Sequence, residues 1–190
     1  YRIVPTLYDA AMKSYLSGYP YTMTPLGIAY PDDPEATAAP NFQWMIGDSL
    51  LCTPLLKNHA SGKMDLYLPE GTWFDYDTGE KHSGPKLLKD FPLPVTKTPC
   101  FVGGKGILVT RSSDDTPLTV HLYPTDQTCK SHTVYHLDGT STSEITWAEP
   151  NKTRSVTDTT TGKSVTTHMD ENTSALSFEI SPDHHYLVRS

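Results

Sequence analysis

Residues 3–16, IVPTLYDAAMKSYL, carry apolar side chains at Val4, Leu7, Tyr8, Ala11, Met12, Tyr15 and Leu16. Spacings of three and four predict a helix with one buried face. Gly18 supplies its C-terminal stop, and Pro20 keeps it from continuing. YTMTPLGIAY (21–30) reads as a short strand, and PDDPEATAAP (31–40) as a turn-rich segment with no room for a long helix. FQWMIGDSLLCTPLL (42–56) is apolar enough to be buried on both faces.

After about residue 47 the texture changes. Short apolar or alternating runs, among them MDLYLP, TWFDY, PCFVG, GILVT, LTVHLYP, SHTVYHL and ALSFEI, recur between clusters of Gly, Pro, Asn and Asp. Closely spaced strands of this kind indicate a sandwich or barrel. SSDDTP (112–117) is the best internal boundary. The pattern predicts a helical piece over 1–46, then two small β-modules over 47–112 and 113–190. The first piece is too short to bury a core of its own. It must pack on the β-modules or on a larger domain.

Composition sharpens this picture. Of 190 residues, 36% are hydrophobic and 19% charged, so Thr, Ser, Asn and His carry much of the polarity, as in a soluble β-rich chain. No apolar run approaches the ~20 residues that span a bilayer. The chain opens at Tyr1 inside a helical pattern with no secretory signal, so its start reads as a cut. A net charge of −7 with 15 scattered basic residues argues against nucleic acid as a partner.

Cys52, Cys100 and Cys129 share no metal-ligand spacing. Cys52, in SLLCTPLL, reads as a small buried hydrophobe, and Cys100 with Cys129 is one pairing left open. Asn151 and Asn172 head N-x-[ST] triplets. These triplets and a Thr-rich, Lys-poor surface lead us to expect a protein of the secretory pathway or cell exterior.

Two aspartates, Asp75 and Asp77, sit two residues apart in TWFDYDTGE. On a strand they share a face with Cα atoms ~6.5–7 Å apart, near the ~5–5.5 Å carboxyl separation of a retaining glycosidase. Both lead into Thr78-Gly79, however, and turns favour Asp, so a solvated hairpin is the expected structure. Trp73 is expected to pack inside. GGKG (103–106) lacks the spacing of a phosphate loop and reads as a glycine turn between strands. His132 and His136 share a strand face but stand ~13 Å apart, too far for one metal ion. No metal or cofactor is expected, and no G-x-S-x-G nucleophile motif is present.

The segments PTLYDAAMKSYLSGYPYTMTPL, PDDPEA, FQWMIGDSLLCTPLL, DLYLPEGTWFDYDTGE, TPCFVGGKGILVT and LTVHLYP occur in this order over residues 5–124. Together with VYHLDGTS they resemble the C-terminal third of glycoside hydrolase family 31, the α-glucosidases, α-xylosidases and relatives. The chain departs from the family pattern at Thr24, at Gly103 and at Asp138, where the family commonly has an arginine, an arginine and a double aspartate. The resemblance implies a mainly β fold: two β-sandwich modules, proximal then distal, preceded by the last helix and strand of a (β/α)8 barrel. It implies retaining α-glycoside hydrolysis with both catalytic aspartates upstream. No catalytic residue is therefore expected here, and transglycosylase or lyase chemistry stays open. The expected partners are an upstream catalytic barrel of the same protein and a carbohydrate substrate. Asp32 and Asp33 follow the segment resembling the eighth barrel strand, on the side where barrel active sites assemble, and are the candidate substrate contacts. A turn or helix cap explains an Asp between prolines equally well. The alternative is a non-catalytic carbohydrate-binding or adhesion module, with Tyr76, Trp147 and Tyr186 as a loose aromatic platform.

Overall fold

The computed structural model describes residues 2–38, 42–54, 62–93, 98–125, 130–148 and 155–189. In chain order the elements are α1 (Val4–Ser17), β1 (Thr24–Pro25), α2 (Leu26–Ala29), α3 (Pro34–Thr37), β2 (Trp44–Ile46), β3 (Leu50–Cys52), β4 (Lys63–Asp75), β5 (Lys81–Pro92), β6 (Cys100–Val102), β7 (Ile107–Thr110) and β8 (Leu118–Leu122). The rest are β9 (Ser131–Tyr135), β10 (Thr142–Trp147), β11 (Ser155–Asp158), β12 (Lys163–Val165), β13 (His168–Met169), β14 (Leu176–Ile180) and β15 (His185–Arg189). The fold is mainly β.

Three sheets result. The first runs β1-β2-β3-β6-β4-β5, the second β12-β11-β15-β10-β9, and the third β13-β14-β8-β7. The second and third share one core. Ile107, Val109, Val120 and Phe178 of the third meet Val134, Ile145, Val156, Tyr186 and Val188 of the second. The first sheet has its own cluster around Leu51, Leu66, Leu68, Trp73 and Phe101, closed by Leu26 and Ala36 of the short helices. Residues 112–117 form the turn between β7 and β8, which pair antiparallel, so the third sheet already begins at Ile107. β7 is buried on both faces. Ile107 and Val109 point into the shared core, while Leu108 points to a junction cluster with Ala10, Ile46, Leu50, Cys52 and Val102.

Helix α1 forms where the spacing predicts it. Pro5 sits in its first turn, where a missing N–H costs nothing, and Gly18 adopts φ 75° at its C-cap, donating to Ser14 O at 2.9 Å. Its orientation is the reverse of the expected one. Pro5, Thr6, Asp9 and Ala10 are buried, whereas Tyr15 is 83% and Leu16 60% exposed. The inward side is polar because α1 lies over the edge strands of both sandwiched sheets, and edge strands leave unpaired backbone groups. Thr6 Oγ1 donates to Val109 O at 2.7 Å and accepts from Val109 N at 3.0 Å on β7. Asp9 Oδ1 accepts from Tyr135 N at 3.1 Å on β9. An apolar face turned inward would leave these groups unsatisfied.

YTMTPLGIAY also departs from the expected strand. Only Thr24–Pro25 pairs, antiparallel to Trp44 and Met45. Pro25 has no N–H to extend a ladder, and Leu26 begins a helical turn closed by Tyr30 N to Leu26 O at 2.9 Å. Conversely, MDLYLP and TWFDY are one continuous strand, β4, with its register shifted between Leu68 and Gly71.

Candidate functional site

The loop after α2 is shaped by Asp33. Its Oδ1 accepts from Glu35 N at 3.0 Å and Ala36 N at 3.2 Å, capping the one-turn helix α3, and its Oδ2 accepts from Tyr67 Oη at 2.7 Å. Both carboxylate oxygens are thus engaged, which makes Asp33 the cap. Burial, reinforced by the Asp33 hydrogen bond, pushes the Tyr67 hydroxyl well above the usual phenol range, so it remains the donor. Among the described residues β6 pairs with β4 only at Phe74 and Asp75, and farther along β4 Gln43 serves the backbone of Tyr67. Tyr67 N donates to Gln43 Oε1 at 2.7 Å, and Gln43 Nε2 donates to Tyr67 O at 2.9 Å. Asp32 is exposed on the same loop. Together with Tyr30, Tyr67, Glu70 and Pro85, the two aspartates border an open cleft of about 520 Å³. Its walls are largely apolar, with Pro31, Pro34 and Pro85 beside the carboxylates of Asp32, Glu35 and Glu70.

The GGKG turn carries the chain from the first sheet to the third. Lys105 Nζ binds the Asp48 carboxylate at 2.8 Å. A Cβ on Gly103 would lie 2.3 Å from the ring of Trp73, which is fully buried and donates from Nε1 to Pro69 O at 2.8 Å. Gly103→Ala is accordingly expected to destabilise by about 1–3 kcal/mol, read from the denaturant midpoint at constant m-value.

The remaining residues singled out by sequence separate. Asp75 ends β4, and its Oδ1 accepts from Asp77 N at 2.9 Å and Thr78 N at 2.8 Å, forming the turn of the β4–β5 hairpin. His132 is buried against Asp9, 3.4 Å from its Oδ2, and 3.2 Å from Lys13 Nζ. His136 Nε2 lies 2.8 Å from Ser143 Oγ, whose hydroxyl donates to Ser181 O, so the ring nitrogen is the donor of the pair. Among the described residues no group of His, Cys, Asp or Glu could hold a metal ion. The aromatic platform does not form. Tyr186 is 3% exposed inside the shared core, Trp147 packs against that core, and Tyr76 packs against the junction cluster on another sheet. Asn172 is exposed, while Asn151 and Cys129 lie outside the described residues.

A cluster that the sequence did not single out ties α1 to β9. Lys13 Nζ lies 2.7 Å from Asp9 Oδ2, and His132 completes the group. Burial opposes charge on Asp9, but the His132 hydrogen bond and the Lys13 ammonium outweigh it and hold the carboxyl below its usual range. Burial pushes the His132 imidazole down, against the pull of Asp9, so it is neutral. The Asp9-to-Lys13 spacing of four on a helix was the available signal.

The second feature is what the N-terminal piece leaves uncovered. Among the described residues ten large hydrophobic side chains are exposed, and all but Leu87 and Met169 lie at or before Phe42. They include Leu7, Tyr15 and Leu16 of α1, with Met23, Ile28 and Phe42 beyond it. The first 42 residues therefore carry most of the exposed large apolar side chains among the described residues.

A profile of the glycosyl hydrolase family 31 C-terminal domain matches residues 18–108. The chain is 33% identical over 152 residues to a 1,6-alpha-glucosyltransferase of Sporosarcina globispora, covering 74% of this chain and 11% of that protein. It is 35% identical over 130 residues to neutral alpha-glucosidase AB of Mus musculus, covering 63% and 13%. Among solved structures, a Flavobacterium johnsoniae GH31 dextranase complexed with glucose superposes with a TM-score of 0.71 at 21% identity, over 96% of this chain and 30% of that one. At that identity the likeness speaks for the fold. The chain thus spans only about an eighth of the length of these two sequence relatives.

Proposed function

Because the chain belongs to glycosyl hydrolase family 31, whose C-terminal domain it carries, we propose that it is the closing portion of a retaining α-glycoside hydrolase acting on α-glucosides or related sugars. In this reading residues 1–46 end a (β/α)8 catalytic barrel and hand over to a proximal β-sandwich through β1 and β2, which pair into the first sheet, while the two sheets sharing one core form the distal sandwich. The catalytic carboxylates belong to the preceding barrel: one attacks the anomeric carbon and the other serves as acid and then base. The single observation that carries the reading is the reversed helix α1, with its polar side spent on the β-edges and Tyr15 and Leu16 facing outward. A second partner that buries Tyr15 and Leu16 would complete the amphipathic pattern of this helix. The work of this chain is then mechanical: it closes the barrel through α1 and braces it through the sandwiches.

Asp32 remains the residue of this chain proposed to face substrate, since its neighbour Asp33 is committed to α3 and Tyr67. The exposed Asn172 supports a location in the secretory pathway or outside the cell. No helix among the described residues is long and apolar enough to cross a membrane.

The test is the full-length protein assayed with aryl α-glucosides, following the anomer released. Hydrolysis or glucosyl transfer with retention is expected, and residues 1–190 alone should be inert. Absence of activity on every aryl α-glycoside, or activity of residues 1–190 by themselves, would overturn the proposal.

A further inference from the structure

Two of the three cysteines meet across neighbouring strands. In the antiparallel β3–β6 pair, Cys52 lies directly opposite Cys100. Thr53 N donates to Pro99 O at 3.1 Å, just outside the pair, which makes it a non-hydrogen-bonded site of the ladder. At such sites facing Cα atoms stand ~4.5 Å apart and the side chains approach more closely than elsewhere. A disulfide requires Cα atoms ~4.4–6.8 Å apart. The two Sγ atoms are 3.4 Å apart, and both residues are free thiols. Bonding needs the sulfurs to close to ~2.05 Å, which side-chain rotation provides without a change of register.

We propose that Cys52 and Cys100 are a disulfide-forming pair, an oxidation site whose bridge staples β3 to β6 at the centre of the first sheet. Access assigns the order of events. Cys52 is 4% exposed in the junction cluster, flanked by Trp44 on β2, whereas Cys100 is half-buried and open to a small reagent. Cys100 Sγ donates to Cys52 Sγ, so the two thiols are already in contact, and the more accessible Cys100 is the one an oxidant meets first. The oxidant is a low-molecular-weight disulfide. The Cys100 thiolate attacks one of its sulfurs, forming a mixed disulfide and releasing one thiolate, which takes up a proton. Cys52 then loses its proton and attacks Cys100 Sγ, expelling the second thiolate, which is protonated in turn. Two protein thiols become one disulfide while the reagent is reduced to two thiols.

Full-length protein incubated with oxidised glutathione, then alkylated under denaturing conditions and mapped without reduction, tests this. The expected result is loss of both alkylatable thiols, a mass about 2 Da lower and a cross-linked peptide joining Cys52 to Cys100. A Cys52→Ser variant should instead retain glutathione on Cys100, because the resolving thiol is missing. Alkylation of both Cys52 and Cys100, glutathione retained on wild-type Cys100, or a bridge from either residue to Cys129 would overturn the proposal. The wild-type peptide map decides the matter even if the variant fails to fold.

Discussion

Replacing Tyr15 and Leu16 together with lysine, which suits the last turn of a helix, is expected to lower the stability of the full-length protein by about 3–6 kcal/mol, while leaving residues 1–190 alone within about 0.5 kcal/mol of their parent. The difference follows from where the two side chains point. Within this chain they touch little, being 83% and 60% exposed. If the outer face of α1 is buried by the catalytic barrel, each loses the transfer free energy of a large apolar side chain. Denaturant titration of both lengths measures it, and loss of the proposed α-glycosidase activity should accompany the full-length effect. Equal, small effects in both lengths would mean that the outer face of α1 has no partner.

Asp9→Ala is the second large effect, at about 3–5 kcal/mol. It leaves three groups without their acceptor: the Lys13 ammonium, the His132 ring and the Tyr135 N–H. A charged lysine stranded in a largely buried site dominates the cost. Adding Lys13→Met should recover part of the loss, a coupling that a double-mutant cycle measures. The same cluster sets an acid limit. The Asp9 carboxyl is depressed, so its contribution is present above the unfolded carboxylate value near ~3.9 and is lost as pH falls through its lower folded value. His132 is also depressed. Below ~6.5 the unfolded chain takes up a proton that the folded chain refuses, so stability falls with acid there too. Wild-type stability should therefore decline from about pH 6.5 downward, and His132→Gln should flatten the upper part of that decline.

What the sequence displayed and what it hid divide on physical lines. The span of α1, its Gly18 stop, the Asp75 hairpin and the packing of Trp73 were legible because each depends on local chemistry: periodicity, an αL-tolerant residue, an Asx turn, an indole too large to leave outside. The orientation of α1 was not. Apolar spacing shows that one face is buried but not by whom, and here the chain itself takes the polar face. β5 was missed altogether. KHSGPKLLKDFP is an edge strand carrying Gly84, Pro85 and several lysines, and a strand protected from aggregation in this way lacks the alternation that reveals strands. The expected strand over 21–30 shrank to two residues because Pro25 ends the ladder. At the candidate site, a cap was one of two readings open for Asp33, and its tie to Tyr67 could not be read from a separation of 34 residues. The same holds for Cys52 and Cys100, whose meeting depends on the register of two strands with 47 residues between them.

Met23 and Met169 report whether a preceding barrel covers the N-terminal piece. Both are exposed to similar degrees in this chain, 58% and 51%, and both carry the same oxidisable thioether. Met23 is one of the exposed apolar residues of the N-terminal piece, whereas Met169 lies on β13, an edge strand of the third sheet. Peroxide treatment of the native full-length protein, followed by peptide mass analysis, compares their rates within one sample. Burial of the N-terminal surface by a preceding catalytic barrel predicts that Met169 converts to the sulfoxide at least about tenfold faster than Met23. Equal rates at the two positions would contradict it.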